Sequence, residues 1–146
     1  MPVIVRTVRA FLAVEEIDMV YVGIKPDWHE YTNELFERFG IDKERVRVID
    51  GGADRNGTVK NIAEAIVAEH GENDGDIILT HDAVRPFVTE KIIRDNIKAM
   101  REHSACGTYM PAADTIKDLT AKRSGKRLTE ASFIRRKLRR LSDLGI

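Results

Sequence analysis

The sequence has little cysteine and no long apolar run, and these two absences exclude several classes of protein. Its 146 residues include one cysteine, Cys106, which excludes an internal disulfide framework and a cysteine-based zinc site. No apolar run approaches the roughly 20 residues that a membrane-spanning helix needs. The N-terminus, from Met1 to Arg6, lacks the basic lead and continuous apolar core of a signal peptide. We therefore expect a cytoplasmic protein with no membrane partner.

The sequence also lacks a net charge, although its charges are unevenly distributed. Lys and Arg together number 24, as do Asp and Glu. The stretch from Lys122 to Arg140 holds nine of the basic residues and one acidic residue, Glu130. The rest of the chain keeps 15 basic and 23 acidic residues, a formal charge of −8. We therefore expect one acidic domain, residues 1–120, followed by a basic C-terminal arm, residues 121–146.

Apolar spacing predicts helices and strands that alternate along the chain, which is typical of an α/β fold with a parallel sheet covered by helices on both faces. The predicted strands are Met19 to Ile24, Val46 to Ile49, Ile77 to Thr80 and Ala105 to Met110. The predicted helices are Pro2 to Val14, Trp28 to Phe39 capped by Asp27, Thr58 to His70, and a helix capped by Thr89 that runs to His103.

The same spacing predicts which apolar residues are buried. We expect Trp28, Tyr31, Leu35 and Phe39, which share one helix face, to belong to the core. The next two helices are expected to bury Val59, Ile62, Ala63, Ile66, Ile92, Ile93 and Ile97. Cys106 is expected to be a small buried residue of the last strand.

Two polar loops carry the functional signal. The first loop runs from Gly51 to Thr58 and the second from His81 to Pro86, and each follows a β-branched apolar run. Loops at the ends of strands that open into helices are where α/β sheets bind ligands, and the helix starts favour anions. Arg55 and Arg85 suit phosphate, and Asp82 suits a divalent cation. Two plainer interpretations stay open: a strand-to-helix turn with Thr58 as N-cap, and a surface pair of Asp82 with Arg85.

Three segments in order resemble the sugar-phosphate cytidylyltransferases. Gly51 to Val59 matches the pattern Gly-Gly-x-x-Arg-x-x-Ser/Thr-Val, and His81 to Pro86 matches His-Asp-Ala-Ala/Val-Arg-Pro. Ala113 to Lys117 is similar to the segment that begins the family's dimerisation arm. The resemblance covers roughly Pro2 to Lys117. It implies a Rossmann-like three-layer sandwich with a mostly parallel sheet, the nucleotidyltransferase fold, with the first strand missing, and a C-terminal arm.

The resemblance also implies roles for individual residues. It places Gly52, Ala53, Arg55 and Thr58 around the nucleotide, with the Thr58 hydroxyl hydrogen-bonded to the base. It makes Asp82 and Arg85 the catalytic pair, with Asp82 holding Mg²⁺ or another divalent cation. Polyol phosphate binding is assigned to Ala83, Arg85, Thr115 and Arg135. Because the family presents the arm to a neighbouring subunit, the resemblance implies a homodimer. The match at Arg135 is offset by about one residue.

The predicted function follows from what the family motifs include and what this sequence omits. The family joins CTP to a polyol phosphate, ribitol 5-phosphate or 2-C-methyl-D-erythritol 4-phosphate, and gives a CDP-polyol and pyrophosphate. Val84 slightly favours ribitol 5-phosphate. The sequence contains no glycine-rich triphosphate loop with its Pro-Lys pair and no closing Gln-Thr-Pro-Gln segment, so we expect this chain to be inactive alone.

Two alternatives remain open. One is a non-catalytic remnant that binds nucleotide weakly or only assembles. The other, which makes nucleic acid a partner, is polyanion binding by the basic arm. Its phosphate contacts would be Arg135, Arg136, Lys137, Arg139 and Arg140. The arm has no aromatic stacking residue beyond Phe133, so nucleic acid is the weakest of the predicted partners.

Overall fold

The computed structural model describes residues 1–109 as an α/β domain, which confirms the predicted fold class. Two parallel strands form the sheet, and four α-helices and one 3₁₀ turn surround it. The elements in chain order are α1 (Val3–Leu12), β1 (Val20–Ile24), the 3₁₀ turn (Pro26–Trp28), α2 (His29–Arg38), β2 (Val46–Asp50), α3 (Arg55–His70) and α4 (Glu90–Met100). None of these helices is both long and apolar enough to cross a membrane.

The first layer of helices packs on one face of the sheet. β1 and β2 pair in parallel, from Val20 opposite Val46 to Ile24 opposite Asp50, with α2 as the connection. Because side chains alternate along a strand, the valines of both strands share this face. There they form the main core with α1 and α2: Val5, Val8, Val22, Leu35, Phe36, Ile41 and Val46.

The second layer is α3, which packs on the opposite face. Gly23 lets α3 come close, because a Cβ at this position would lie 2.4 Å from Cγ2 of Thr58. At the far end of α3, the Tyr21 hydroxyl donates a 2.8 Å hydrogen bond to Glu69, and Arg47 donates to the other Glu69 oxygen at 2.9 Å. Partial burial, followed by the contact with Glu69, raises the pKa of Tyr21 to about 12. The three layers of the predicted sandwich are therefore helices, sheet and helix.

Two predicted strands are wrong within the described residues. Residues 77–80 and 105–109 contain no strand. Ile77 and Ile78 are 37% and 58% exposed, whereas Leu79 packs against a second apolar cluster of Val14, Ile93 and Ile97. A β-branched run forms a strand only where a neighbour pairs with it, and residues 1–109 place no paired strand beside these segments.

The helix boundaries confirm some predicted signals and correct others. Thr89 caps α4 by accepting from the Ile92 N–H, as predicted. Asp27 does not cap α2, because it lies inside the 3₁₀ turn. The third helix begins at Arg55 instead of Thr58, because Asp54 is the residue that caps it. The fourth helix ends at Met100, three residues before the predicted end.

Several predicted core residues are exposed. Trp28, in the 3₁₀ turn, and Tyr31, in the first turn of α2, are 54% and 51% exposed, while Leu35 further along α2 is buried. Val59 and Ile92 also face outward. Cys106 is exposed, and its segment joins no sheet within residues 1–109. The predicted boundary at residue 120 lies outside the described residues.

Candidate functional site

The first loop is closed by hydrogen bonds of its own. Asp54 accepts from the Gly57 N–H at 2.7 Å and so caps α3. The Thr58 hydroxyl donates to the Asp54 carbonyl at 2.9 Å and accepts from the Gly52 N–H at 3.0 Å. The Thr58 hydroxyl therefore links the two ends of the loop through hydrogen bonds. Because Asp54 caps α3, the interpretation of Thr58 as a plain N-cap is wrong.

Gly52 is required by the close approach of two backbone segments. A Cβ at Gly52 would lie 2.4 Å from the carbonyl carbon of Gly57 and 2.8 Å from the Thr58 nitrogen. Both are backbone atoms that cannot rotate away. The glycine therefore allows the loop to fold onto the first turn of α3, which keeps the N-terminal end of that helix directly behind the loop.

Asp50, which ends β2 just before the first loop, is held on two sides. Its carboxylate lies 2.8 Å from Nδ1 of His29 at the start of α2. Its carbonyl accepts from the Asn61 side chain of α3 at 3.0 Å. These contacts fix the strand end from both helix layers. The sequence does not reveal these contacts, because His29 and Asp50 are 21 residues apart and no local pattern joins them.

The second loop is held by α1. The Thr7 hydroxyl donates to the Ala83 carbonyl at 2.9 Å, and Thr7 itself is buried. The Phe11 and His81 rings meet edge to face with centroids 5.2 Å apart. Partial burial lowers the pKa of His81. The sequence contains a signal for the contact between Thr7 and Ala83, because Thr7 is a polar residue on the apolar face of a helix.

The two loops meet at Asp82. Arg55, from the first loop's helix, donates to one oxygen of the Asp82 carboxylate. Nε of Arg85 lies 3.0 Å from the other oxygen. The hydrogen bond and charge of Arg55, followed by the charge of Arg85, lower the pKa of Asp82. Three of the predicted site residues thus form one cluster, although the loop containing two of them follows no strand in the part of the chain that the structure describes.

This cluster has the chemistry of an anion site. The Arg55 and Arg85 side chains are 69% and 75% exposed, while Asp82 is 30% exposed. Exposed guanidinium groups that lie beside a carboxylate can turn to a bound phosphate, and the paired N–H donors of each group match two phosphate oxygens.

The same cluster does not by itself fit a metal ion. Both oxygens of Asp82 are bonded to arginine, and residues 1–109 contain no group of three His, Cys, Asp or Glu side chains able to hold one. A Mg²⁺ ion bound through one carboxylate completes its shell with water and substrate phosphate oxygens. Mg²⁺ therefore stays a prediction.

The remaining predicted site residues are less closely joined to the cluster. Ala53 is exposed at the turn of the first loop, and the Ala83 carbonyl is used by Thr7. Val84 is exposed and identifies no substrate. Thr115 and Arg135 lie outside the described residues.

Comparison with known proteins identifies a family that matches most of the chain. The family model described as IspD, 2-C-methyl-D-erythritol 4-phosphate cytidylyltransferase, matches residues 1–135. Among solved structures, the chain is similar to the crystal structure of 4-diphosphocytidyl-2C-methyl-D-erythritolsynthase from Anaerococcus prevotii DSM 20548, with 24% sequence identity and a TM-score of 0.57. The match covers 70% of this chain and 41% of that one, so the chain spans about two fifths of that structure. At this identity the likeness shows the fold.

Proposed function

The chain belongs to the 2-C-methyl-D-erythritol 4-phosphate cytidylyltransferase family, and we propose that its two loops bind a cytidine nucleotide and a polyol phosphate for cytidylyl transfer. The observation that carries this proposal is the meeting of Arg55 and Arg85, one from each loop, on the carboxylate of Asp82. The family match favours 2-C-methyl-D-erythritol 4-phosphate as the polyol phosphate, with ribitol 5-phosphate as the second candidate.

The first loop is proposed to recognise the cytosine base through Gly52, Ala53 and Thr58. A hydroxyl has one hydrogen to donate and two lone pairs that accept. In Thr58 the hydrogen goes to Asp54 and one lone pair accepts from Gly52, which leaves one lone pair as an acceptor. Cytosine offers an amino donor at position 4, whereas uracil would offer an oxygen acceptor there. This arrangement favours cytidine over uridine nucleotides.

The arginines are proposed to stabilise the charge of phosphoryl transfer. In the family reaction the polyol phosphate attacks the α-phosphorus of CTP in line, and pyrophosphate leaves. Such a transition state spreads charge over the equatorial oxygens, so catalysis depends on positioning and electrostatic stabilisation. Arg55 and Arg85 supply the positive charge, and Asp82 holds both guanidinium groups in place until phosphate arrives. When Mg²⁺ is bound, it would add further positive charge beside the phosphates.

Activity of the 146-residue chain alone is proposed to be very low. The motivation is that its sequence includes no glycine-rich loop for the triphosphate, and such loops supply much of the charge stabilisation. The test is pyrophosphate release from CTP and Mg²⁺ with each polyol phosphate in turn. Turnover at about 1–100 per second would show that other residues replace that loop.

Binding without turnover is the second candidate function, and calorimetry separates it from the first. Titration with CMP and with each polyol phosphate is expected to give heat in the wild type. The heat from polyol phosphate is expected to fall in Arg85→Ala and to stay unchanged in Arg101→Ala, a surface arginine at the end of α4. No binding of any of these ligands would remove both candidates, and the polyanion-binding alternative would then be tested with RNA.

A homodimer is proposed because the match that begins at Ala113 leads into the family's dimerisation arm. Thr115 and Arg135 of one subunit would then reach the polyol phosphate of the other. An acidic body and a basic arm attract each other less as salt is added. Light scattering is expected to show a dimer at low salt that weakens at high salt, and a monomer under both conditions would contradict the proposal.

A further inference from the structure

Asn56 and Gly57 are the chain's one asparagine–glycine pair, and they lie in the first turn of α3. The side-chain amide of an asparagine can be attacked by the backbone nitrogen of the next residue, which closes a succinimide ring. Glycine favours this attack, because it has no Cβ to hinder its nitrogen and its backbone turns freely. The other four asparagines each precede a residue with a side chain: Glu34, Ile62, Asp74 or Ile97. The sequence therefore concentrates this reactivity at Asn56.

The folded first loop holds the attacking nitrogen out of this reaction. Gly57 donates its N–H to the Asp54 carboxylate at 2.7 Å, and a hydrogen bond to an ionised acceptor is a strong one that keeps the proton on the nitrogen. The next N–H, of Thr58, donates to the Asp54 carbonyl at 3.0 Å. Ring closure needs the Gly57 nitrogen to lose its proton and the backbone beside it to rotate, and Asp54 opposes both.

The packing of the loop accounts for the glycine that creates this reactivity. A glycine in a helix is unfavourable by its intrinsic propensity. A Cβ at Gly57, however, would lie 3.3 Å from Cα of Gly52 and 3.4 Å from the Asp54 carboxylate oxygen, which is a tight fit. The close approach of the loop to α3 therefore favours glycine at position 57, directly after Asn56, whose side chain is exposed.

We propose that Asn56–Gly57 is a deamidation site of this chain, which the Asp54 cap keeps closed in the folded loop. When the cap opens, the Gly57 nitrogen loses its proton to solvent and forms a bond to Cγ of Asn56. The bond from Cγ to Nδ2 breaks, and Nδ2 takes a proton from solvent and leaves as ammonia. Water then opens the succinimide at either of its two carbonyls, which gives aspartate or isoaspartate at position 56.

Conversion is expected to damage the first loop permanently. Isoaspartate carries the main chain through its own Cβ, which inserts a methylene before the Gly57 nitrogen. The Gly57 N–H then no longer meets Asp54 in the geometry of a helix cap, so the contact that prevented the reaction is lost. Either product also places a new carboxylate next to Arg55, which is expected to weaken CMP binding. This last consequence alone rests on the proposed function.

Timed incubation of the full chain at mildly alkaline pH, followed by peptide mass spectrometry, tests the proposal. Conversion is measured as the mass gain of replacing NH₂ by OH at residue 56, and enzymatic methylation identifies isoaspartate. Asp54→Ala is expected to convert about fivefold faster than the wild type, which is the change in open population that loss of a typical cap produces. Asp54→Asn keeps a side-chain acceptor at the N-cap position and should convert at nearly the wild-type rate.

Two controls separate the Asp54 cap from general stability. Thr89→Ala removes the cap of α4 and should leave the rate at Asn56 unchanged. A synthetic peptide copying residues 51–60 is too short to form a stable helix, so it gives the unprotected rate. The proposal is overturned if the folded wild type converts as fast as this peptide, if Asp54→Ala converts no faster than Thr89→Ala, or if the peptide itself does not convert.

Discussion

Replacing Gly52 by alanine is expected to open the first loop, because no rotation can relieve the contact that it creates. The new Cβ would lie 2.4 Å from the carbonyl carbon of Gly57, 2.7 Å from its Cα and 2.8 Å from the Thr58 nitrogen, whereas ordinary contact begins at 3.4 Å. The loop and the first turn of α3 must separate by several tenths of an ångström.

The cost can be worked out from the bonds that this separation breaks. The hydrogen bond from Gly52 to Thr58 and the cap from Gly57 to Asp54 each contribute about 1 kcal/mol. Crowding that is only partly relieved adds about 1 kcal/mol, in the range found for overpacked sites. We therefore expect Gly52→Ala to lower the free energy of unfolding by about 2–3 kcal/mol and to abolish CMP binding.

Urea unfolding of three variants measures this effect against matched controls. Gly107→Ala meets no atom within 4 Å and is expected to change the free energy of unfolding by less than about 0.5 kcal/mol. Gly40→Ala also has open space, but its φ of +62° is expected to cost about 1 kcal/mol. If Gly52→Ala costs no more than Gly107→Ala, the loop does not fold against α3 and the reasoning is refuted.

Three further predictions concern the residues that join the two loops. Thr58→Val is expected to remove most of the preference for CMP over UMP, about 1 kcal/mol or roughly fivefold in Kd, while Thr58→Ser should keep this preference. Calorimetry with both nucleotides measures it, and an unchanged preference in Thr58→Val would contradict the role of the hydroxyl. Thr7→Val is expected to lower the free energy of unfolding by about 1 kcal/mol, because the Ala83 carbonyl loses its donor. Thr7→Ser should retain that hydrogen bond. Equal urea midpoints for the wild type and Thr7→Val would contradict this prediction. Because the arginines lower the folded-state pKa of Asp82, its ion pairs stabilise the fold above the ordinary aspartate pKa and are lost as pH falls through the lowered value. An NMR titration of the Asp82 carboxyl should show Arg55→Gln raising this pKa more than Arg85→Gln, and the reverse order would contradict the assigned cause.

Local sequence signals predicted those parts of the fold that depend on local physics. The spacing of Leu35, and of Ile93 and Ile97, located the buried faces of two helices. Thr89 was predicted as a cap because its side chain reaches a backbone N–H three residues away, and Gly71 ends α3 in the left-handed region that suits glycine. Such signals need only neighbouring residues, so one sequence is enough to find them.

Strand assignments failed where pairing, a non-local property, decides the outcome. Val46 to Asp50 and the run from Ile77 to Thr80 have similar β-branched composition, yet only the first has a paired neighbour within residues 1–109. Helix α2 shows the same limit of local sequence signals for the burial of a helix face. Leu35 is buried in the main core, while Tyr31 of α2 and Trp28 of the preceding 3₁₀ turn are exposed. Spacing locates a face, but only packing decides how much of that face is covered.

The candidate site combines residues that the sequence motifs specify with an arrangement that only the packing explains. Arg55, Asp82 and Arg85 were predicted as site residues of two polar loops that each follow a strand. They lie together although residues 77–80 pair with no strand within residues 1–109, because α1 holds the second loop through Thr7 and Phe11. The sequence motif specifies which groups are presented, and the helix that packs across the sheet brings them within reach of each other. Substitutions at Thr7 should therefore disturb the cluster although Thr7 touches none of its three charged side chains.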